Sequence, residues 1–196
     1  IGFSFGCLIS WRAALFFAVY IFGIWFYSHK LKKYALIGLL SVTTLTILPF
    51  FAVFIYFKNF SSIIFVHAIF LFLLIMVREL VKDLQNLKGA IVNNYATFPV
   101  VYGEKTTKIF SLMLLAFTLW PVFILFSYPA LGYMKFYFYF ASVVLVFISF
   151  LLWKSSHVKN YRNIHNVLKI LLLIGVFSLM FVDTSLIVEK VIQRLH

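Results

Sequence analysis

Residues 61–89 read SSIIFVHAIFLFLLIMVRELVKDLQNLKG, a long apolar run followed directly by a charged segment. Its first part, residues 61–77, is apolar and carries His67 as its one ionisable side chain. With the helical turn that follows, it reaches the roughly 20 residues that a membrane-spanning helix needs. Because hydrocarbon offers the backbone no water to bond, such a run must be helical. The second part is charged, so the stretch predicts a membrane helix that leaves the bilayer as a polar segment.

The same apolar pattern recurs along the chain. Apolar residues make up 64% of it and charged residues 11%, against about 45–50% and about 25% in soluble domains. Six complete spans are predicted, at residues 13–27, 34–57, 61–77, 108–128, 136–153 and 167–188, and residues 1–9 form part of a seventh. The alternating pattern of a membrane barrel is absent. The predicted fold class is therefore all-α, a polytopic transmembrane helix bundle with residues 1–196 in one domain.

The basic residues divide unevenly between alternate loops, which predicts the orientation. Eleven lie in the second, fourth and sixth loops and three in the others. By the positive-inside rule, the richer loops face the cytoplasm and the C-terminus lies outside, as in a multi-pass protein of the inner (cytoplasmic) membrane. The net charge of +12 then indicates contact with anionic lipid and no nucleic-acid partner, because no soluble basic face is left. Cys7 is the only cysteine, which excludes an intrachain disulfide.

Three of the five acidic residues fall in the longest polar stretch of the chain. On one continuous helix, four residues of this stretch follow a four-three-four spacing and share a stripe: Glu79, Asp83, Asn86 and Ala90. The adjacent stripe holds Arg78, Lys82 and Gln85. Oxygen ligands at one-turn spacing beside cations suit a hydrated Mg²⁺ that carries a diphosphate. A solvated helix end with accidental spacings is the alternative, and the spacing alone leaves both open.

Two short motifs carry a family resemblance. The first is residues 78–89, RELVKDLQNLKG, with Thr97-Phe98-Pro99 and Gly103 downstream. The second is residues 27–32, YSHKLK. They resemble the UbiA superfamily of membrane prenyltransferases, namely its second Asp-rich motif and the Tyr-Ser-x-x-Leu-Lys segment between its fourth and fifth helices. The resemblance covers the whole chain and is closest to the branch that contains digeranylgeranylglyceryl phosphate synthase.

This resemblance implies a nine-helix fold, in which the first motif follows the sixth helix, and it implies a reaction. In the family, an isoprenyl group passes from a prenyl diphosphate to a lipid or aromatic acceptor with Mg²⁺ as cofactor. Metal and basic residues pull on the diphosphate until the allylic C–O bond ionises. Lipid glycerol phosphate, quinone precursors and haem all serve as acceptors in the superfamily, and the motif favours the first. The implied partners are a prenyl diphosphate, a lipid-soluble acceptor and membrane lipids.

The resemblance also implies which residues form the site. The implied metal ligands are Asp83, Glu79 and Asn86, and the implied catalytic residues are Asp83 and Lys82. The implied substrate-binding residues are Tyr27, Ser28, Lys30, Lys32, Arg78, Lys88 and Asn94. Among these, Arg78 and Lys88, together with Lys82 and with Lys30 or Lys32, would clamp phosphate oxygens. The hydroxyl groups of Tyr27 and Ser28 would hydrogen-bond the diphosphate.

Two departures from the family pattern leave alternatives open. The family's first Asp-rich motif follows its second helix, and residues 1–196 hold no counterpart, so the chain resembles the C-terminal two-thirds of such a protein. The aspartate pair that ends the second motif is replaced by Asn86 and Ala90. A non-catalytic relative, or a membrane subunit of a larger assembly, is therefore the alternative to an enzyme. A transporter is disfavoured because no matched pair of broken helices is visible.

Overall fold

The computed structural model describes residue 8, residues 10–56 and residues 62–178, without the side chains of residues 53–56, 129, 130 and 176. The described helices are α1 (Trp11–His29), α2 (Ala35–Tyr56), α3 (Ser62–Gln85), α4 (Leu87–Val92), α5 (Phe98–Tyr102), α6 (Glu104–Phe126), α7 (Lys135–Lys154) and α8 (Val158–Ser178). Short 3-10 turns at Leu31–Lys33 and Pro129–Met134 join α1 to α2 and α6 to α7. Long antiparallel helices with short connections therefore make up the described part of the bundle.

Five of the predicted spans are confirmed. The described residues contain five helices long and apolar enough to cross a membrane: Trp11–Lys33, Ala35–Ala52, Ser62–Gln85, Glu104–Phe126 and Leu131–Lys154. The helix of the sixth predicted span begins at Val158, nine residues before the predicted start, because a helix continues through polar residues beyond its apolar run. The remainder of that span after Ser178, and the piece at residues 1–9, lie outside the described helices.

Helix α3 lies at the centre of the described bundle. It packs against α2, α6 and α8, and 13 of its 24 residues are buried. Phe70 and Leu74 are fully buried, and the ring of His67 lies 5.7 Å from each of the rings of Phe50 and Phe138. Helix α1 differs, since none of its residues is buried within the described structure. The polar end of α3 is thus held in place by an apolar core.

Helices α7 and α8 pack closely enough to require a glycine. The hydroxyl of Tyr137 on α7 donates to the carbonyl oxygen of Leu171 on α8, at 3.2 Å. A Cβ atom added to Gly175 would lie 2.6 Å from that hydroxyl oxygen, so the Tyr137 side chain would have to shift and its bond to Leu171 would be disturbed. Because the helices alternate in direction, the α1–α2 turn, the end of α3 and the α7–α8 loop all come to one end of the bundle. These are the three loops that carry most of the basic residues.

Candidate functional site

The polar end of α3 bends at Asn86. Helix α3 ends at Gln85, Asn86 takes φ −100° and ψ 13°, and α4 continues from Leu87. The continuous helix assumed from the sequence is therefore interrupted, because the polar segment leaves the packed core at this point. The interruption does not separate the residues of the stripe: Glu79, Asp83, Asn86 and Ala90 all line one cavity.

This cavity has a volume of about 560 Å³ and opens at the polar end of the bundle. Its walls come from the end of α1, the α1–α2 turn, the start of α2, the end of α3 and the α4–α5 segment. Seven predicted site residues line it: Tyr27, Ser28, Lys32, Glu79, Lys82, Asp83 and Asn86. The structure therefore brings both sequence motifs, which are about 50 residues apart in the chain, to one place.

Four predicted site residues do not line the cavity: Lys30, Arg78, Lys88 and Asn94. The ammonium of Lys30, just after the end of α1, instead lies 5.9 Å from the ring centroid of Phe26 in the last turn of that helix. Sequence reasoning left several wall residues without a role: Tyr34, Gly38, Gly89, Asn93, Tyr95 and Thr97. The signal for Asn93 and Tyr95 was the polar run at residues 93–97, which does not tell which side chain faces inward; Thr97 belongs to the resembling motif but had no role assigned.

Glu79 is a buried carboxylate that holds two cations. It is 4% exposed, and its Oε1 atom lies 3.1 Å from Nη2 of Arg78. Its Oε2 atom accepts a hydrogen bond from Nζ of Lys82, one helical turn away. A buried charge is costly unless it is paired in this way. Glu79 therefore acts first as the counter-ion that fixes Lys82 beside the cavity.

Asp83 is the carboxylate that stays available. In the part of the chain that the structure describes, it makes neither an ion pair nor a hydrogen bond. It lines the cavity together with Lys82 and Lys32, whose positive charges act on it. A carboxylate without a bonded partner, in a cavity that also holds two ammonium groups, is suited to bind a metal ion whose phosphate ligands the cations can contact.

The donors around Asp83 fit a magnesium ion that keeps part of its water. The carboxylate of Asp83 and the side-chain oxygen of Asn86 are hard ligands, and both residues line the cavity. Among the described residues, no group of three His, Cys, Asp or Glu side chains comes together that could hold a metal ion. Mg²⁺ does not need such a cage, because it is commonly held by one or two carboxylates and the phosphates of a substrate.

A second polar cluster lies at the same end of the bundle, outside the cavity. We call the set Glu104, Lys108, Ser155 and Tyr161 the closed cluster. The hydroxyl of Tyr161 donates to Oε1 of Glu104 at 2.6 Å, and Nζ of Lys108 lies 3.7 Å from the same oxygen. Lys108 also donates to the carbonyl of Ser155. Burial, and then the bond to Glu104, raise the pKa of Tyr161.

Comparison with known proteins agrees with this architecture. A digeranylgeranylglyceryl phosphate synthase of Methanobrevibacter smithii is 30% identical over 118 residues, which are 59% of this chain and 42% of that protein. A second synthase, of Methanosphaera stadtmanae, is 26% identical over 154 residues, 78% of this chain and 56% of that protein. The chain thus spans about half the length of the curated relatives it matches.

A solved structure of a digeranylgeranylglyceryl phosphate synthase shows the same fold. It matches with a TM-score of 0.71 and 20% identity, over 90% of this chain and 63% of that one. The family model of the UbiA prenyltransferases matches residues 1–181, which include both motifs and every described helix. The resemblance read from the two motifs is confirmed: the chain belongs to the UbiA prenyltransferase family.

Proposed function

We propose that the cavity binds a prenyl diphosphate together with Mg²⁺, and that the protein transfers the isoprenyl group to a lipid-soluble acceptor. The observation that carries this proposal is the unpaired carboxylate of Asp83, which shares the cavity with Lys82 and Lys32 at the polar end of membrane helices. The relatives are named digeranylgeranylglyceryl phosphate synthases, so we propose a glycerol-phosphate lipid as the acceptor. Residues 1–196 are proposed to belong to one transmembrane domain.

The site's own residues account for the chemistry by electrostatics. In the reaction, the allylic C–O bond breaks and its electron pair leaves with the diphosphate. An acceptor hydroxyl oxygen forms the new C–O bond and loses its proton to water. A bound Mg²⁺ would supply positive charge to the leaving group. Lys32 and Lys82 donate charge-assisted hydrogen bonds to phosphate oxygens, and the hydroxyls of Tyr27 and Ser28, also in the cavity wall, orient the same group.

The surroundings of the cavity suit a ligand with an apolar tail. The helices below it expose large apolar side chains, among them Phe65 and Ile69 on α3 and Leu40 on α2, as lipid-facing helices do. A diphosphate held at the polar end therefore leaves its isoprenyl chain at the level of the hydrocarbon. We propose that this end faces the cytoplasm, as the positive-inside rule predicts. Strong external labelling of an Asn93→Cys variant in intact cells would overturn that orientation.

A non-catalytic role is the second candidate, and Ala90 is the observation that favours it. Ala90 lines the cavity where the resembling enzymes carry an aspartate. Glu79 does not fill the gap, because both of its oxygens already hold cations. A protein of this kind would bind a prenyl diphosphate without turning it over, either alone or as a membrane subunit of a larger assembly.

One experiment separates these functions. The purified full-length protein in lipid nanodiscs is titrated with geranylgeranyl diphosphate, with and without Mg²⁺, and assayed for diphosphate release with a glycerol-phosphate lipid. The enzyme proposal expects Mg²⁺-dependent binding and release that depends on the acceptor. Mg²⁺-dependent binding without release would support the non-catalytic candidate. Lys135→Gln, at the opposite end of the bundle, is the control variant. Binding that does not depend on Mg²⁺ and is unchanged in Asp83→Asn would refute both functions.

A further inference from the structure

A cation–π contact in the lining of the cavity joins two segments that are far apart in the sequence. Nζ of Lys32, on the turn between α1 and α2, lies 4.3 Å from the ring centroid of Tyr95, on the segment between α4 and α5. Both residues line the cavity. The distance is well inside the roughly 6 Å limit for such a contact. The motifs gave Lys32 a role in phosphate binding and gave Tyr95 none.

The backbone around Tyr95 fixes where its ring lies. Asn94 adopts φ 54°, a left-handed conformation uncommon outside glycine. The backbone amide of Asn94 donates to the carbonyl oxygen of Ile91 at 3.2 Å. The backbone amide of Tyr95 donates to the carbonyl oxygen of Ala90 at 2.9 Å. This pair of bonds is a Schellman motif, which ends α4 and turns the chain back. The end of helix α4 therefore sets the direction in which the Tyr95 side chain leaves the backbone.

The two lysines of the cavity are held by different kinds of partner. Lys82 is paired with the carboxylate of Glu79, which compensates its charge. Lys32 is held by an aromatic ring, whose quadrupole attracts an ammonium group and does not cancel its net charge. Lys32 is thus restrained without being tied to a carboxylate, in the wall of a cavity that also contains Asp83. A lysine on an exposed turn would otherwise sample many rotamers, and the side-chain entropy lost when it is ordered would weaken its binding to a ligand.

We propose that Tyr95 is a positioning residue, which holds the ammonium of Lys32 in the cavity for the diphosphate of the substrate. The inference rests on the proposed function for the identity of the ligand, while the contact itself is independent of it. The aromatic ring is the part of Tyr95 that matters, so a Phe at this position keeps the effect and a Leu loses it.

Two measurements on the full-length protein test the proposal. The first is the rate at which an amine reagent modifies Lys32 without ligand, followed by mass spectrometry, with Lys33 as the internal control. Lys33 is also exposed, and the described residues give it no ring contact. We expect Tyr95→Leu to raise the rate at Lys32 to that at Lys33, and Tyr95→Phe to leave it low. Equal rates at Lys32 in the wild type and Tyr95→Leu would overturn the proposal.

The second measurement is the affinity for inorganic pyrophosphate with Mg²⁺, by calorimetry. We expect Tyr95→Leu to weaken binding about threefold to fivefold, as for a cation–π contact at an exposed site, and Tyr95→Phe to restore it. In a Lys32→Gln background, Tyr95→Leu should have no further effect. An equal loss in that background would mean a general structural role and overturn the proposal. Failure of pyrophosphate to bind the wild type would refute the proposed function, while the labelling still decides the role of Tyr95.

Discussion

Two polar clusters at the same end of this bundle start from similar sequence and end in different environments. In the cavity, Glu79 is paired with Lys82 one turn later. In the closed cluster, Glu104 is likewise paired with Lys108. The closed cluster adds Tyr161, which completes its hydrogen bonds, whereas the cavity adds Asp83 without a partner among the described residues. A cluster whose polar groups all have partners stabilises the packing of the helices. A cluster with an unpartnered carboxylate beside a cavity is able to bind a ligand.

The largest expected effect comes from removing the unpaired carboxylate. We expect Asp83→Asn to lower isoprenyl transfer about 100-fold or more, because removal of one group that stabilises developing charge commonly costs that much. Protein yield and melting temperature should stay close to wild type, since Asp83 supports no ion pair in the described structure. Turnover of the variant at the wild-type rate would mean that the cavity is not the reactive site.

A smaller loss is expected when the paired cation of the cavity is removed. Lys82→Ala should weaken prenyl diphosphate binding about tenfold, because a charge-assisted hydrogen bond to phosphate is worth roughly 1.5–3 kcal/mol. Lys135→Ala, at the opposite end of the bundle, is the matched control, and its affinity should change less than about twofold. Calorimetry on both variants checks this, and equal losses would show that bulk charge alone attracts the ligand.

The closed cluster should respond to substitution in stability and not in binding. Tyr161→Phe removes the hydrogen bond to Glu104, which should cost about 1 kcal/mol of unfolding free energy with diphosphate affinity unchanged. The folded-state pKa of Tyr161 is raised above its ordinary value of 10.0. The stability from this tyrosine is therefore present below about pH 10 and is lost as the pH rises through the folded-state pKa. Melting curves from pH 7 to 11 should show a smaller alkaline loss in the variant.

The sequence predicted the helices well because hydrocarbon leaves few choices to an apolar run. It also placed Asp83 and Lys82 on one polar helix end, because helical spacing is local. The break at Asn86 escaped it, since that break depends on where the packed core ends. The closed cluster and the contact between Lys32 and Tyr95 escaped it as well, because they join residues about 50 to 60 positions apart.

The contact at Tyr95 also depends on a single backbone conformation. Asn94 was predicted to bind substrate, but the structure places it at the left-handed end of α4 and outside the cavity wall. Asparagine tolerates this conformation better than most residues do. No spacing rule indicates such a turn from Asn93-Asn94 alone, so the direction of the Tyr95 side chain could not be predicted from the sequence.

If Asp83 and its stripe face a metal-bound diphosphate, a carboxylate placed at position 90 should add a ligand to the same metal ion. Ala90 is 6% exposed and lines the cavity, so a carboxylate there would join Asp83 on the same wall. Val92, 80% exposed and outside that wall, is the matched position for the same added charge. The measurement is a titration of geranylgeranyl diphosphate at several Mg²⁺ concentrations. Ala90→Asp should strengthen binding only when Mg²⁺ is present, and Val92→Asp should not. Unchanged Mg²⁺ dependence in a folded Ala90→Asp protein would show that the stripe of Asp83 and Ala90 does not face a metal-bound diphosphate.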